Sequence, residues 1–262
     1  MIKRELTFLV ALWKANLLAA MEFRAAFISQ AIGMFLNDAA YFVFWIVFFD
    51  RFQQVRGWGL SDMFLIYGLV AFGFGAAVYF FGNLNGVADI IMKGQLDYYL
   101  ALPRPVLLHL LSSRSVPSGV GDMLYGLISF FFADQLTLDA FARFVLGALF
   151  SATIFIAFMV LVQSLVFWMG SVQLLSMQVF NALLTFSIYP TSLFDNSAKF
   201  ILFTILPAAL IGALPSDFVR SFTWPKLGLM LIAAVIFLSL AIAAFYRGLR
   251  RYESGSAIQT QL

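Results

Sequence analysis

The residues of this sequence best able to do chemistry are polar groups set inside long apolar runs. An Asp at the middle of a membrane helix costs roughly 2.5–3.5 kcal/mol on insertion scales, so each such group calls for a reason. Asn37 and Asp38 fall near the middle of the first apolar run, and Asp122 lies within the first two turns of the third. The fifth run and the residues before it carry Ser171, Gln178, Asn181 and Thr185 at spacings of seven, three and four, a polar stripe on one helix face. Two chemistries suit these groups. Asn37, Asp38, Gln178, Asn181 and Thr185 are candidates to line a translocation pathway, with Asp38 also able to relay a proton. The competing role is interhelical hydrogen bonding, for the Asn-Asp pair and for the stripe alike. Asp122 is placed close enough to the interface to be solvated. Ala71 and Gly75, small residues four apart, mark close helix packing.

Covalent catalysis finds no support. The chain has no G-x-x-x-x-G-K-[ST], no H-E-x-x-H and no G-x-S-x-G, and its single histidine has no second to form a dyad. Zero cysteines exclude disulfides, iron–sulfur clusters and thiolate metal sites. The net charge of +3 gives no basis for a nucleic-acid partner. What positions the polar groups is a membrane architecture. At 63% hydrophobic, 18% aromatic and 11% charged, the chain is too apolar for a soluble domain and reads as an all-α polytopic membrane protein.

Residues 1–24 place Lys3, Thr7 and Lys14 on one side of a helix, Leu9 and Leu12 opposite, and Trp13 at the boundary. That pattern predicts an amphipathic helix in the interface rather than a cleaved leader. Six stretches then approach the roughly 20 apolar residues a crossing needs: Ala25–Phe49, Met63–Phe81, Val116–Ala133, Phe141–Trp168, Val172–Tyr189 and Pro225–Tyr246. With the N-terminus inside, ten basic residues are cytoplasmic and six are outside. Both basic ends share one side only if the number of crossings is even. Ser197–Leu214 is apolar but interrupted by Pro207 and bracketed by Pro190 and Pro215. It therefore reads as part of an outer re-entrant hairpin, residues 190–224, before the last span (225–246) and a cytoplasmic tail (247–262).

The longest polar interruption, residues 82–115 between spans 1–2 (25–81) and spans 3–5 (116–189), carries Asp89, Lys93, Asp97, Arg104, His109 and Arg114. Apolar spacing at Val87, Ile90 and Ile91, a break at Gly94, a second polar-aromatic turn and Pro103 with Pro105 predict two short helices around a bend. Asp97 is placed to cap the second helix or to pair with a basic group of a partner. His109 reads as a plain loop residue.

Order matters more than any one motif. Gly94-Gln95-Leu96-Asp97 followed by Leu100 and Pro103 resembles the cytoplasmic G-x-L-D…L…P signature of ABC-2 type permeases of bacterial ABC transporters. Tyr189-Pro190, Pro207, Pro215 and the run Gly248-Leu249-Arg250-Arg251-Tyr252-Glu253-Ser254 are similar to one subgroup of that family, once catalogued as a domain of unknown function. The resemblance implies a non-enzymatic permease subunit of an exporter in the bacterial cytoplasmic membrane, with both termini cytoplasmic. It implies two separate ATP-binding subunits, a second and different permease, and amphiphilic or lipid-like substrates. This chain would bind no cofactor, ATP and Mg entering through the partners. Gly94, Leu96, Asp97, Tyr98, Tyr99, Leu100 and Pro103 would form the ATPase coupling site. An ion-coupled secondary transporter using Asp38 and Asp122, or a membrane anchor or scaffold, are the alternatives left by the residues alone.

Overall fold

A computed structural model describes residues 2–134 and 136–253, and its regular structure is helical, with one isolated bridge between Val55 and Trp58. The N-terminal helix α1 (Ile2–Glu22) runs into α2 (Arg24–Arg51), and α3 (Leu60–Phe80) follows after a short turn. Three short helices come next, α4 (Val87–Met92), α5 (Leu96–Leu100) and α6 (Val106–Ser112). Then come α7 (Gly119–Phe131), α8 (Leu138–Ser164), α9 (Val166–Met169) and α10 (Gln173–Ser187). The chain closes with α11 (Asn196–Thr204), α12 (Ala208–Ile211), α13 (Ala213–Arg220) and α14 (Trp224–Leu249).

Four of these are long and apolar enough to cross a bilayer: α2, α3, α8 continued by α9, and α14. The expected third and fifth spans are shorter than their apolar windows. Helix α7 has 13 residues and α10 has 15, so they reach only about 20 Å and about 22 Å at 1.5 Å per residue. Local chemistry explains both. Pro117 delays the start of α7 to Gly119, and Gly170, at φ 71°, holds a turn before α10 that carries Ser171 off the helix. At its far end α10 stops short of Tyr189, whose helical conformation the following Pro190 disfavours. The Ser197–Leu214 segment is a bent pair, with α11 and the α12–α13 unit meeting at 71°. Pro207 is the N-cap of α12, and Pro215 lies within the first turn of α13 rather than bracketing the segment. Proline is tolerated there because the first-turn N–H groups have no helical acceptor.

The two inner helices are α3 and α8, whose most apolar windows are 72% and 67% buried, whereas those of α2 and α14 are 22% buried. Glycine sets how closely the helices approach. A Cβ added at Gly119 would lie 2.5 Å from the Gly75 carbonyl oxygen, and one at Gly126 2.5 Å from that of Gly68. These residues, seven apart on each helix, clasp α3 to α7 over two turns. On its other side α7 meets α2, where a Cβ at Gly121 would lie 2.1 Å from the Ala31 oxygen. Helix α2 answers with a buried stripe of Ala31, Asp38, Phe42, Trp45 and Phe49. The bent pair is tied in by the Ser151 hydroxyl, which donates to the Ile211 carbonyl at 2.6 Å. Arg143 likewise donates to the Val219 carbonyl at 2.6 Å.

Helix α1 buries Leu9, half-buries Leu12 and Trp13, and exposes Lys3, Thr7 and Lys14, as its pattern predicts. Trp13 does more than sit at a boundary: its indole N–H donates to the Phe80 carbonyl at 2.8 Å. Asn16 donates to the Ser112 carbonyl and the Ser115 hydroxyl, both at 3.2 Å.

Candidate functional site

The segment between α3 and α7 is a folded platform, held along its whole length. Its ends close on each other, with the Gly82 N–H donating to the Arg114 carbonyl at 2.9 Å. The Asn83 amide donates to the Leu110 carbonyl at 2.8 Å and to the Ser113 hydroxyl at 2.7 Å, and the Tyr99 hydroxyl meets the same Ser113 oxygen at 2.9 Å. Beneath the platform Gln163 of α8 makes two amide contacts, both at 3.0 Å. Its Oε1 accepts from the Ala88 N–H, and its Nε2 donates to the Asn85 carbonyl. The Ala88 N–H belongs to the first turn of α4, so Gln163 serves as a tertiary cap for that helix.

The bend falls where the sequence puts it, at Gly94 with φ 69°, a left-handed conformation that L side chains rarely adopt. The third short helix, α6, was not legible beforehand, and it makes His109 a buried residue rather than a plain loop one. The imidazole packs edge-on against Phe8 and Tyr99, each at 5.2 Å, and burial with Arg104 nearby holds its pKa below the usual range. Arg104 itself bridges to Glu5 at 3.2 Å and covers the Phe8 ring at 4.4 Å, joining α1 to the platform.

The residues of the G-x-L-D…L…P signature separate by exposure. Leu96 is fully buried and Tyr99 half-buried, so both anchor the platform to this chain. Tyr98, Leu100 and Pro103 are exposed. Asp97 makes no side-chain cap: the N-cap position is Gln95 and no capping bond forms. The Asp97 carboxylate instead faces Tyr252, whose phenol is pushed up to about 12 by burial and by that neighbour. Ser254, the last residue of the C-terminal run, and the rest of the tail lie outside the described residues.

The second feature is a cavity of about 290 Å³ lined by α2, α3, α7 and α10. Asp38, Asp122, Asn181 and Thr185 all line it, so the structure brings together polar groups from three helices far apart in sequence. Asn181 also lines a neighbouring cavity of about 360 Å³ that reaches Asn85, Asp89 and Gln163 beneath the platform. Asn37 and Gln178 are exposed and line neither. Asp122 is a correction: it retains 1% exposure and is not solvated at an interface. The signal was present in Gly119, Gly121 and Gly126, which let α2 and α3 close over the aspartate between them.

A tightly packed helical membrane protein with a short-helix platform at one end and a polar cavity between its helices has the make-up of a permease. Residues 35–256 match the family model described as ABC-2 family transporter protein, and the chain belongs to that family. No curated protein and no solved structure gave a significant match. Membership makes this a multi-pass permease of the ABC transporter class, a class whose permeases associate with ATP-binding subunits.

Proposed function

We propose that the chain is one half of the membrane unit of an ATP-driven exporter of amphiphilic or lipid-like molecules. A second, different permease forms the other half, and two ATP-binding subunits that carry ATP and Mg power the pair. The observation that carries this reading is the platform. It is rigidly attached to α1, α3, α7 and α8, yet presents Tyr98, Leu100 and Pro103 outward around the Gly94 bend. Exposed aromatic and aliphatic side chains on a fixed backbone are the usual anchors of a small interface. The two cavities that meet at Asn181 support a translocation path leading away from the same platform.

Tyr98→Ala with Leu100→Ala tests the platform, since neither side chain supports the core. The variant should insert and purify normally but lose its ATP-binding subunit. Each true anchor should contribute about 1–2 kcal/mol, enough for a roughly tenfold weaker association. Normal recovery of ATPase with the double variant would refute the coupling assignment. An ion-coupled secondary transporter built on Asp38 and Asp122 would show no such subunit at all.

The same reading sets the topology, with six crossings, both termini inside and the α11–α13 hairpin re-entrant from outside. Without native cysteines, introduced thiols label without background. Arg4→Cys and Glu253→Cys should react only from the cytoplasm, and Phe194→Cys only from the outside. Labelling of Glu253→Cys from outside would make the bent pair a true crossing.

A further inference from the structure

We propose that the cavity between α2 and α10 is a subsite for the ammonium group of a cationic amphiphile. The proposal rests on the permease reading and narrows its substrate class. Asp38 and Asp122 keep 9% and 1% of their exposure, and the Oδ2 atom of each is buried without a hydrogen-bond donor. Their carboxyl groups lie within hydrogen-bonding reach of each other. Two neighbouring carboxyl groups make an acidic site, and an acidic site calls for a cation. Among the described residues no Lys or Arg lies within 4.0 Å of either, whereas Asp62 has Arg220 at 2.8 Å and Asp139 has Arg143 at 2.7 Å.

The walls fit an organic cation. Tyr41, Tyr67 and Phe74 line the cavity beside the carboxyls, and aromatic faces attract alkylammonium groups. Tyr41, Tyr67 and Tyr125 are titratable groups packed around the pair, and none brings a positive charge. At about 290 Å³ the cavity lies at the lower end of ligand pockets, about 300–1,000 Å³, so it fits a headgroup and the first carbons of a tail. Tyr41 and Thr185 are exposed at the rim, where an alkyl tail would leave between α2 and α10.

Equilibrium dialysis of radiolabelled octyltrimethylammonium against the purified full chain in maltoside micelles tests this. The Asp38→Asn/Asp122→Asn double variant serves as the matched micelle background. Wild type should bind about one probe per chain above that background, with octylamine competing, and with octanol and octyl sulfate at least tenfold weaker competitors. Asp50→Asn, at the exposed end of α2 and outside both cavities, should bind as wild type does. Equal competition by octanol and octylamine on wild type would overturn the proposal whatever the variants do, and so would wild-type binding no higher than that of the double variant. Recovery of the ATP-binding subunit is a separate readout. If it depends on Tyr98 while cations are not discriminated, the permease reading stands and the subsite falls; if no ATPase is recovered, the reading itself fails.

Discussion

Gly121→Val should leave little monodisperse protein, because the added atoms have nowhere to go. Even a Cβ at this position would lie 2.1 Å from the Ala31 oxygen and 2.9 Å from the Phe35 nitrogen, both backbone atoms that no rotamer change can move. Overpacking typically costs about 1–3 kcal/mol, and a backbone clash belongs at or beyond the upper end of that range. Helix α2 would be driven off α7, and Asp38 would separate from Asp122. Gly33→Ala is the matched control on the facing helix. It has no neighbour within 4 Å, so it should be neutral or stabilise by up to about 1 kcal/mol through helix propensity. Yield and thermal unfolding in detergent measure both. Equal stability of Gly121→Val and wild type would mean that α2 and α7 are not packed through this glycine.

Gln163→Leu should be nearly as damaging, and its damage should reach function first. The substitution keeps the volume but leaves the buried Ala88 N–H without its partner and takes the donor from the part-buried Asn85 carbonyl. The buried group left unsatisfied costs about 1–3 kcal/mol. The expected result is a chain that inserts but exchanges the platform amides faster, and an ATPase whose hydrolysis no longer responds to substrate. Gln163→Glu should recover part of the loss, since its carboxylate still accepts from the Ala88 N–H. Hydrogen exchange at residues 84–92 separates this from a general loss of stability, which would also raise exchange in α3 and α8.

Much of this was legible in the chain, for identifiable reasons. Long apolar runs over Arg24–Arg51, Leu60–Phe80, Leu138–Ser164 and Trp224–Leu249 announce their helices, because lipid demands that every backbone group be paired internally. The Gly94 bend was readable for the same kind of reason, since a positive φ narrows the choice of residue. What stayed hidden was tertiary. Leu96 and Leu100, both in the signature, look alike in sequence, yet one is fully buried and the other is exposed. Burial of that kind depends on partners distant in the chain. The polar stripe of the fifth span divides in space: Asn181 and Thr185 line the cavity with the aspartates, while Gln178 lines neither cavity and Ser171 precedes the helix. The Asp38–Asp122 pair required knowing that α2 and α7 touch, and only the glycines of α7 hinted at it.

The closure of the platform's ends has a mechanical consequence. Gly82 is bonded to Arg114 at 2.9 Å and the Val116 N–H to the Val78 carbonyl at 3.2 Å, directly below the glycine clasp between α3 and α7. The two helices thus share a stiff foundation and behave as a single beam rather than two rods free to slide. Force applied to the bend at Gly94 is delivered as torque on that beam. Over the 21 residues of α3, about 30 Å of helix, a tilt of about 5° at the base sweeps the opposite end through about 3 Å. Asp122 rides on the beam within two turns of its base and Asp38 does not, so the same tilt shifts the two carboxyls against each other by less than about 1 Å while the far end swings.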